Sequence, residues 1–180
     1  MSERKKVKGK FKKVRLVELT MKGAKVKGVK LFDGAVKRCI FNTSKLRKVD
    51  IVDTSIEDSQ FEQCDMKEVV STRSDFYNVS FKDAVIETTS FYNTPIRKVS
   101  FWGAYLQKVE FRDCHMYNVD MECAVFNEVY FTDARLKHVR FDKATFTQVS
   151  FVNCAATSDV IEYLKSQGID VTGVKLIVEE

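Results

Sequence analysis

The sequence predicts an all-β solenoid of short stacked strands, and three observations predict it. Every fifth residue over most of the chain is large and apolar. The residue two places before it is small or β-branched, and the residue two places after it is often Gly, Asn or Asp.

The large positions carry the argument. From Phe41 to Phe151, every residue whose number ends in 1 or 6 is Phe, Leu, Ile or Met, with Ser71 as the single break. The register runs back through Val36, Leu31, Val26, Met21 and Leu16 to Phe11. A five-residue period is neither the 3.6 of a helix nor the 2.0 of a long strand. It fits two inward residues at spacing two, followed by three that turn a corner. From Val99 the small slot alternates Val with Ala or Cys as far as Cys154. Corners need residues that tolerate turn conformations. Gly23, Gly28, Asp33, Asp53, Asn78, Asn93, Gly103 and Asp113 supply them. Ser71 predicts a local defect: a cavity, a bulge or a bound water.

On these residues the chain resembles the pentapeptide-repeat family, whose pattern is small residue, Asp or Asn, Leu or Phe, then two polar residues. The resemblance runs from Phe11 to about Ala156. It departs from the commonest motif just before the large residue, where Ser80, Ser90, Ser100, Glu110 and Arg140 stand. The resemblance implies a right-handed quadrilateral β-helix with four repeats per coil, hence about seven coils and a rod roughly 35 Å long. Two Phe ladders are then expected, Phe41–Phe61–Phe81–Phe101 and Phe91–Phe111–Phe131–Phe151. The expected organisation is a basic tail over 1–10, the β-helix over 11–156, and a C-terminal helix with an apolar tail over 157–180. Ser158 or Asp159 can cap that helix, which ends near Gly168. It is a cap for the open end of the rod, or a dimer interface through Tyr163, Leu164 and Leu176. Fluoroquinolone-resistance members of the family pair through such a helix.

The composition suits one domain with a real core: 180 residues, 44% hydrophobic, 31% charged and a single Pro. The sequence holds no apolar run long enough for a membrane span and no secretory leader, so the expectation is a cytoplasmic protein. The five cysteines are an odd number without a CxxC pair, which fits reduced thiols. Cys39, Cys64, Cys114 and Cys154 fall in the small inward slot, and Cys123 at a corner. His115 and His138 fall at outward positions. No phosphate loop, zinc-ligand spacing or nucleophile signature occurs, so no catalytic residue, metal or cofactor is expected.

Charge and surface aromatics are the remaining signals. Residues 1–30 hold twelve Lys or Arg against two Glu, while the whole chain is +5. Lys5, Lys6, Lys8, Lys10, Lys12, Lys13 and Arg15 form a candidate dock for nucleic acid or an anionic surface. They also suit a guarded sheet edge. With twenty residues per coil, Tyr77, Arg97 and Tyr117 share one face with Lys98 beside them, and Tyr92 and Trp102 also point outward. Exposed aromatics with Arg are enriched at protein interfaces. The expected function is a non-enzymatic protein-binding scaffold. The alternatives are a topoisomerase-binding DNA mimic, against which the positive charge counts, and polyanion binding through the N-terminal end.

Overall fold

The computed structural model describes residues 6–178, and for Lys6 the backbone alone. Its strands, numbered in chain order, form two parallel sheets. The first holds β1 (Lys6–Lys12), β3 (Lys25–Phe32), β5 (Lys45–Val52), β7 (Asp65–Thr72), β9 (Val85–Tyr92), β11 (Tyr105–Arg112), β13 (Val125–Thr132) and β15 (Thr145–Val152). The second holds β2 (Arg15–Val17), β4 (Ala35–Lys37), β6 (Ser55–Glu57), β8 (Asp75–Tyr77), β10 (Pro95–Arg97), β12 (His115–Asp120), β14 (Arg135–Arg140), β16 (Ala155–Ala156) and β17 (Lys175–Leu176). From the second coil onward each residue pairs with the one twenty places on, such as Phe111 with Phe131 and Met116 with Leu136. The molecule is therefore a parallel β-solenoid, with coils running 6–25, 26–45 and so on.

Four sides make each coil. The strands of the first sheet bend through a corner and supply two sides. The second sheet supplies the third, and single bridges such as Ser80 to Ser100 to Asp120 run up the fourth. The first sheet stacks eight strands, so there are eight turns rather than about seven. Seven spacings of about 4.8 Å give a rod about 34 Å long.

The corners are uniform. Every fifth residue from Lys13 to Asn153 has φ between 47° and 66°. Gly, Asn and Asp fill many of these left-handed positions, as the sequence predicts. Lys48, Gln63, Thr88, Lys108, Glu128 and His138 occupy others, although an L-residue is disfavoured there. The ladder of backbone hydrogen bonds above and below each corner holds it, as in Asp113 N–H to Thr132 C=O at 3.0 Å and Lys98 N–H to Tyr117 C=O at 3.0 Å.

Both expected Phe ladders are present. Phe41, Phe61, Phe81 and Phe101 stack at 4.9, 5.3 and 5.1 Å between ring centroids. Phe91, Phe111, Phe131 and Phe151 stack at 5.0, 5.0 and 4.7 Å. The ladders meet edge to face, as in Phe101 and Phe111 at 83°. Each ring adds about 1.5–3 kcal/mol by burial and each good ring pair about 0.5–1.5 kcal/mol. In the small slot, hydroxyls bond the coil below. Ser44, Ser59 and Ser74 accept from the backbone N–H groups of Ala24, Cys39 and Thr54 at 3.0–3.2 Å.

Ser71 is fully buried, but the bulge considered for it is absent. It pairs in regular register with Ile51 below and Phe91 above. Its Oγ lies 3.5 Å from Thr94 Oγ1. The irregularity sits elsewhere, in β1, which begins inside the segment read as a tail. Lys6 pairs with Lys25 and Val7 with Val26, whereas Gly9 pairs with Val29, a shift of one residue. Strict register would aim Lys6 into the core; the shift gives that slot to Val7. Gly9, at φ 130°, takes the backbone conformation this requires.

The far end is closed by α1 (Ser158–Ser166). Its N-cap is Thr157, one residue before the expected Ser158 or Asp159, and the Thr157 hydroxyl accepts instead from the His138 N–H at 3.2 Å. Val160 and Leu164 are buried over the last coil. Gly168, at φ 72°, ends the helix. The chain then re-enters the ladder, with Ala155 paired to Lys175 and Ala156 to Leu176. Helix and tail together replace one further coil.

Candidate interaction surfaces

The third side of the rod carries most of the aromatic and cationic candidates. Tyr77, Arg97, Tyr117 and Lys137 pair successively through β8, β10, β12 and β14. Rings and cations therefore alternate up the axis. Tyr77 is 36% exposed and Tyr117 42%. Lys98, at the corner beside them, donates to the Tyr77 hydroxyl at 3.0 Å and lies 5.2 Å from that ring. That hydrogen bond raises the Lys98 pKa. Arg97 lies 5.8 Å from the Tyr77 ring and Lys137 5.8 Å from the Tyr117 ring. The His138 ring meets Tyr117 at 66°. Asp75 fixes Arg97 by an ion pair, and its other oxygen, Oδ1, is buried without a hydrogen bond. Arg97, His115, Tyr117, Arg135, Lys137 and Ile177 line a shallow depression of about 370 Å³.

Tyr92 and Trp102 do not join this group. Tyr92 stands across the Asn93 corner, half-buried, with its hydroxyl donating to Glu110 at 2.8 Å. Trp102 stands across the Lys98 corner, with Lys82 Nζ 4.6 Å from its ring centroid. The structure thus assembles four of the six aromatic and cationic residues singled out from sequence, and separates the other two onto the flanking sides.

At the N-terminal end Lys8, Lys10, Lys12, Lys13 and Arg15 are exposed, and none forms an ion pair among the described residues. Lys5 and the side chain of Lys6 lie outside the described residues. Farther along, charges pair between coils, a feature not read from the sequence. Lys30 meets Asp50 at 2.5 Å, Lys37 meets Glu57 at 2.8 Å, and Lys67 meets Glu87 at 3.2 Å. Arg73 donates to Asp53 at 2.8 Å, and this hydrogen bond holds the Asp53 carboxyl below its usual range. Opposite charges twenty residues apart were the available signal.

The C-terminal candidates divide. Leu164 is fully buried inside the cap, Tyr163 is half-buried, and Leu176 is 58% exposed. Cys39, Cys64, Cys114 and Cys154 are buried, as expected. The Cys64 and Cys114 thiols donate to Phe41 and Phe91 carbonyls at 3.1 and 3.3 Å. Burial pushes both up to about 12, so neither is a ready nucleophile.

A family model described as a pentapeptide repeat region matches residues 54–122, and one for nine copies of the repeat matches residues 101–155. No curated protein matches the chain. Among solved structures, the chain is similar to HetL, a pentapeptide repeat protein involved in heterocyst differentiation regulation from the cyanobacterium Nostoc. Identity is 9%, coverage 81% of this chain and 88% of that one, and the TM-score 0.43. It is also similar to trypsin-treated QnrB1, a plasmid-mediated fluoroquinolone resistance protein, at 16% identity, 94% and 92% coverage and TM-score 0.45. A third is a pentapeptide repeat protein of the Arabidopsis thaliana thylakoid lumen, at 19% identity, 48% and 64% coverage and TM-score 0.43.

Proposed function

Because the chain belongs to the pentapeptide-repeat family, we propose that it is a non-enzymatic scaffold that binds a protein partner through the third side of its rod. The observation that carries this reading is the ladder Tyr77–Arg97–Tyr117–Lys137, with Lys98 and His138 beside it. Stacked coils hold these side chains at strand spacing, so little ordering cost remains for binding. Exposed Tyr and pinned Arg are the residue types that dominate interface energetics. The depression between them is lined by Arg97, Arg135 and Lys137, so the partner that fits is an acidic segment bearing an apolar anchor.

The test is capture from native lysate with three proteins: wild type, the face variant Tyr77→Ala/Arg97→Ala/Tyr117→Ala, and Trp102→Ala on a neighbouring side. The expected result is a partner lost by the face variant, with at least about thirty-fold weaker binding, and kept by Trp102→Ala. Equal capture by all three would refute the reading.

Polyanion binding is the second reading, favoured by Lys8, Lys10, Lys12, Lys13 and Arg15 of the first coil, which are exposed and have no ion-pair partner among the described residues. It predicts binding whose logarithm falls with log salt at a slope of about −4 to −5 for five contacts, without base preference. A DNA-mimicking role requires a continuous acidic side; the net charge of +5 and the coil-to-coil ion pairs oppose it. No helix is long and apolar enough to cross a membrane among the described residues. Pairing of two copies through Leu176 and the tail remains part of the proposal, with sedimentation before and after removal of residues 157–180 as its test.

A further inference from the structure

The N-terminal coils enclose a cavity of about 220 Å³ with a wholly apolar lining. Val26, Leu31, Val36 and Leu46 form its wall, and Phe61 lies at its inner end. Its outer rim is Val7, Phe11, Val14, Leu16 and Met21, all half-exposed, so the cavity opens at the end of the rod. The cause is side-chain volume. The corners and the backbone ladder set the width of a coil, and the second coil fills that width with Val26, Leu31, Val36 and a single Phe41. The seventh uses Phe126, Phe131, Leu136 and Phe141. An apolar recess of this kind offers water no hydrogen-bond partners and accepts apolar guests.

The mouth differs in chemistry from the lumen. Lys8, Lys10, Lys12, Lys13, Arg15 and Lys22 are exposed outward residues of the first coil, which encircles the opening. None has an ion-pair partner among the described residues. An apolar guest with an anionic head would satisfy both parts of the site. A second copy is a poor occupant, because two such ends repel each other.

We propose that the open N-terminal end binds a medium-chain alkyl carboxylate, with the alkyl chain in the lumen and the carboxylate among the lysines of the first coil. A 150 Å³ apolar cavity holds a six-carbon ring, so this one accommodates a chain of about eight to ten carbons. The site is independent of the Tyr77–Lys137 face.

The test is calorimetric titration of the full chain with hexanoate, octanoate, decanoate and tetradecanoate, and with decanol. Affinity should rise about fourfold per methylene up to about decanoate and then level off. Lys8→Gln/Lys10→Gln/Lys12→Gln/Lys13→Gln should weaken decanoate and leave decanol unchanged. Val36→Phe, which fills the lumen, should abolish both while raising the melting temperature. Should Val36→Phe lower the melting temperature, Val26→Leu serves in its place and should shorten the best chain. Failure of the wild type to bind decanoate and decanol at millimolar concentration would overturn the proposal. So would undiminished binding by a folded lumen variant. Binding to anionic phosphatidylglycerol vesicles without uptake of free decanoate would place the lysines on a lipid surface and overturn it as well.

Discussion

The second coil turns Val26, Leu31, Val36 and Phe41 toward the axis, and the seventh turns Phe126, Phe131, Leu136 and Phe141. Both keep the same twenty-residue register and the same left-handed corners. One encloses part of a cavity of about 220 Å³, and the other packs ring on ring. The comparison teaches that coil size here is set by the backbone. Interstrand hydrogen bonds and a positive φ at every corner fix the box, and side chains then fill it or leave it hollow. Stability along a solenoid is roughly a sum of local terms, so the two ends should differ in strength while sharing one shape.

Truncation gives the largest expected contrast. Phe131 stacks between Phe111 and Phe151 at 5.0 and 4.7 Å, so Phe131→Ala should cost about 3–5 kcal/mol in denaturant unfolding. Val36→Ala should cost about 1–2 kcal/mol, from two lost methyl groups beside existing space. Equal losses would break the comparison. Enlargement should reverse sign: Leu136→Phe overpacks and costs about 1–3 kcal/mol, whereas Val36→Phe is expected to stabilise.

Corner chemistry acts alike in both regions and gives a smaller effect. Thr88 is exposed and β-branched at φ 48°. Thr88→Asn should gain about 1 kcal/mol, visible as a higher melting temperature. A loss would mean that the Thr88 side chain has a role the corner geometry does not explain. Smallest of all is the Lys67–Glu87 pair, which is partly exposed, so Lys67→Gln should change stability by under about 1 kcal/mol.

The fold was legible because the repeat is periodic and each large residue serves one purpose. Phe41 to Phe101 and Phe91 to Phe151 could be stacked on paper once the family resemblance supplied four repeats per coil. The face was legible in part for the same reason: Tyr77, Arg97 and Tyr117 stand twenty apart. Tyr92 and Trp102 were placed outward but not on a side, because assigning sides requires counting corners as well as coils. The shift at Gly9 escaped because it breaks the period. Register also says nothing about volume, so the cavity behind Val26 and Val36 was not foreseen. Ser71 drew attention as the gap, yet its coil keeps regular pairing beside Phe76 and Phe91.

Native cysteines report on both regions without mutation. Cys39 lies buried in the second coil, Cys114 in the sixth and Cys154 in the eighth, while Cys123 is partly exposed and marks the fast-reacting baseline. A buried thiol reacts only when its coil opens, so thiol labelling at sub-denaturing urea, read by mass spectrometry, ranks the local opening free energies. Cys39 should be labelled well before Cys114 and Cys154. Simultaneous labelling of the three, or labelling of Cys114 first, would contradict a rod that is hollow at its N-terminal end and packed solid beyond it.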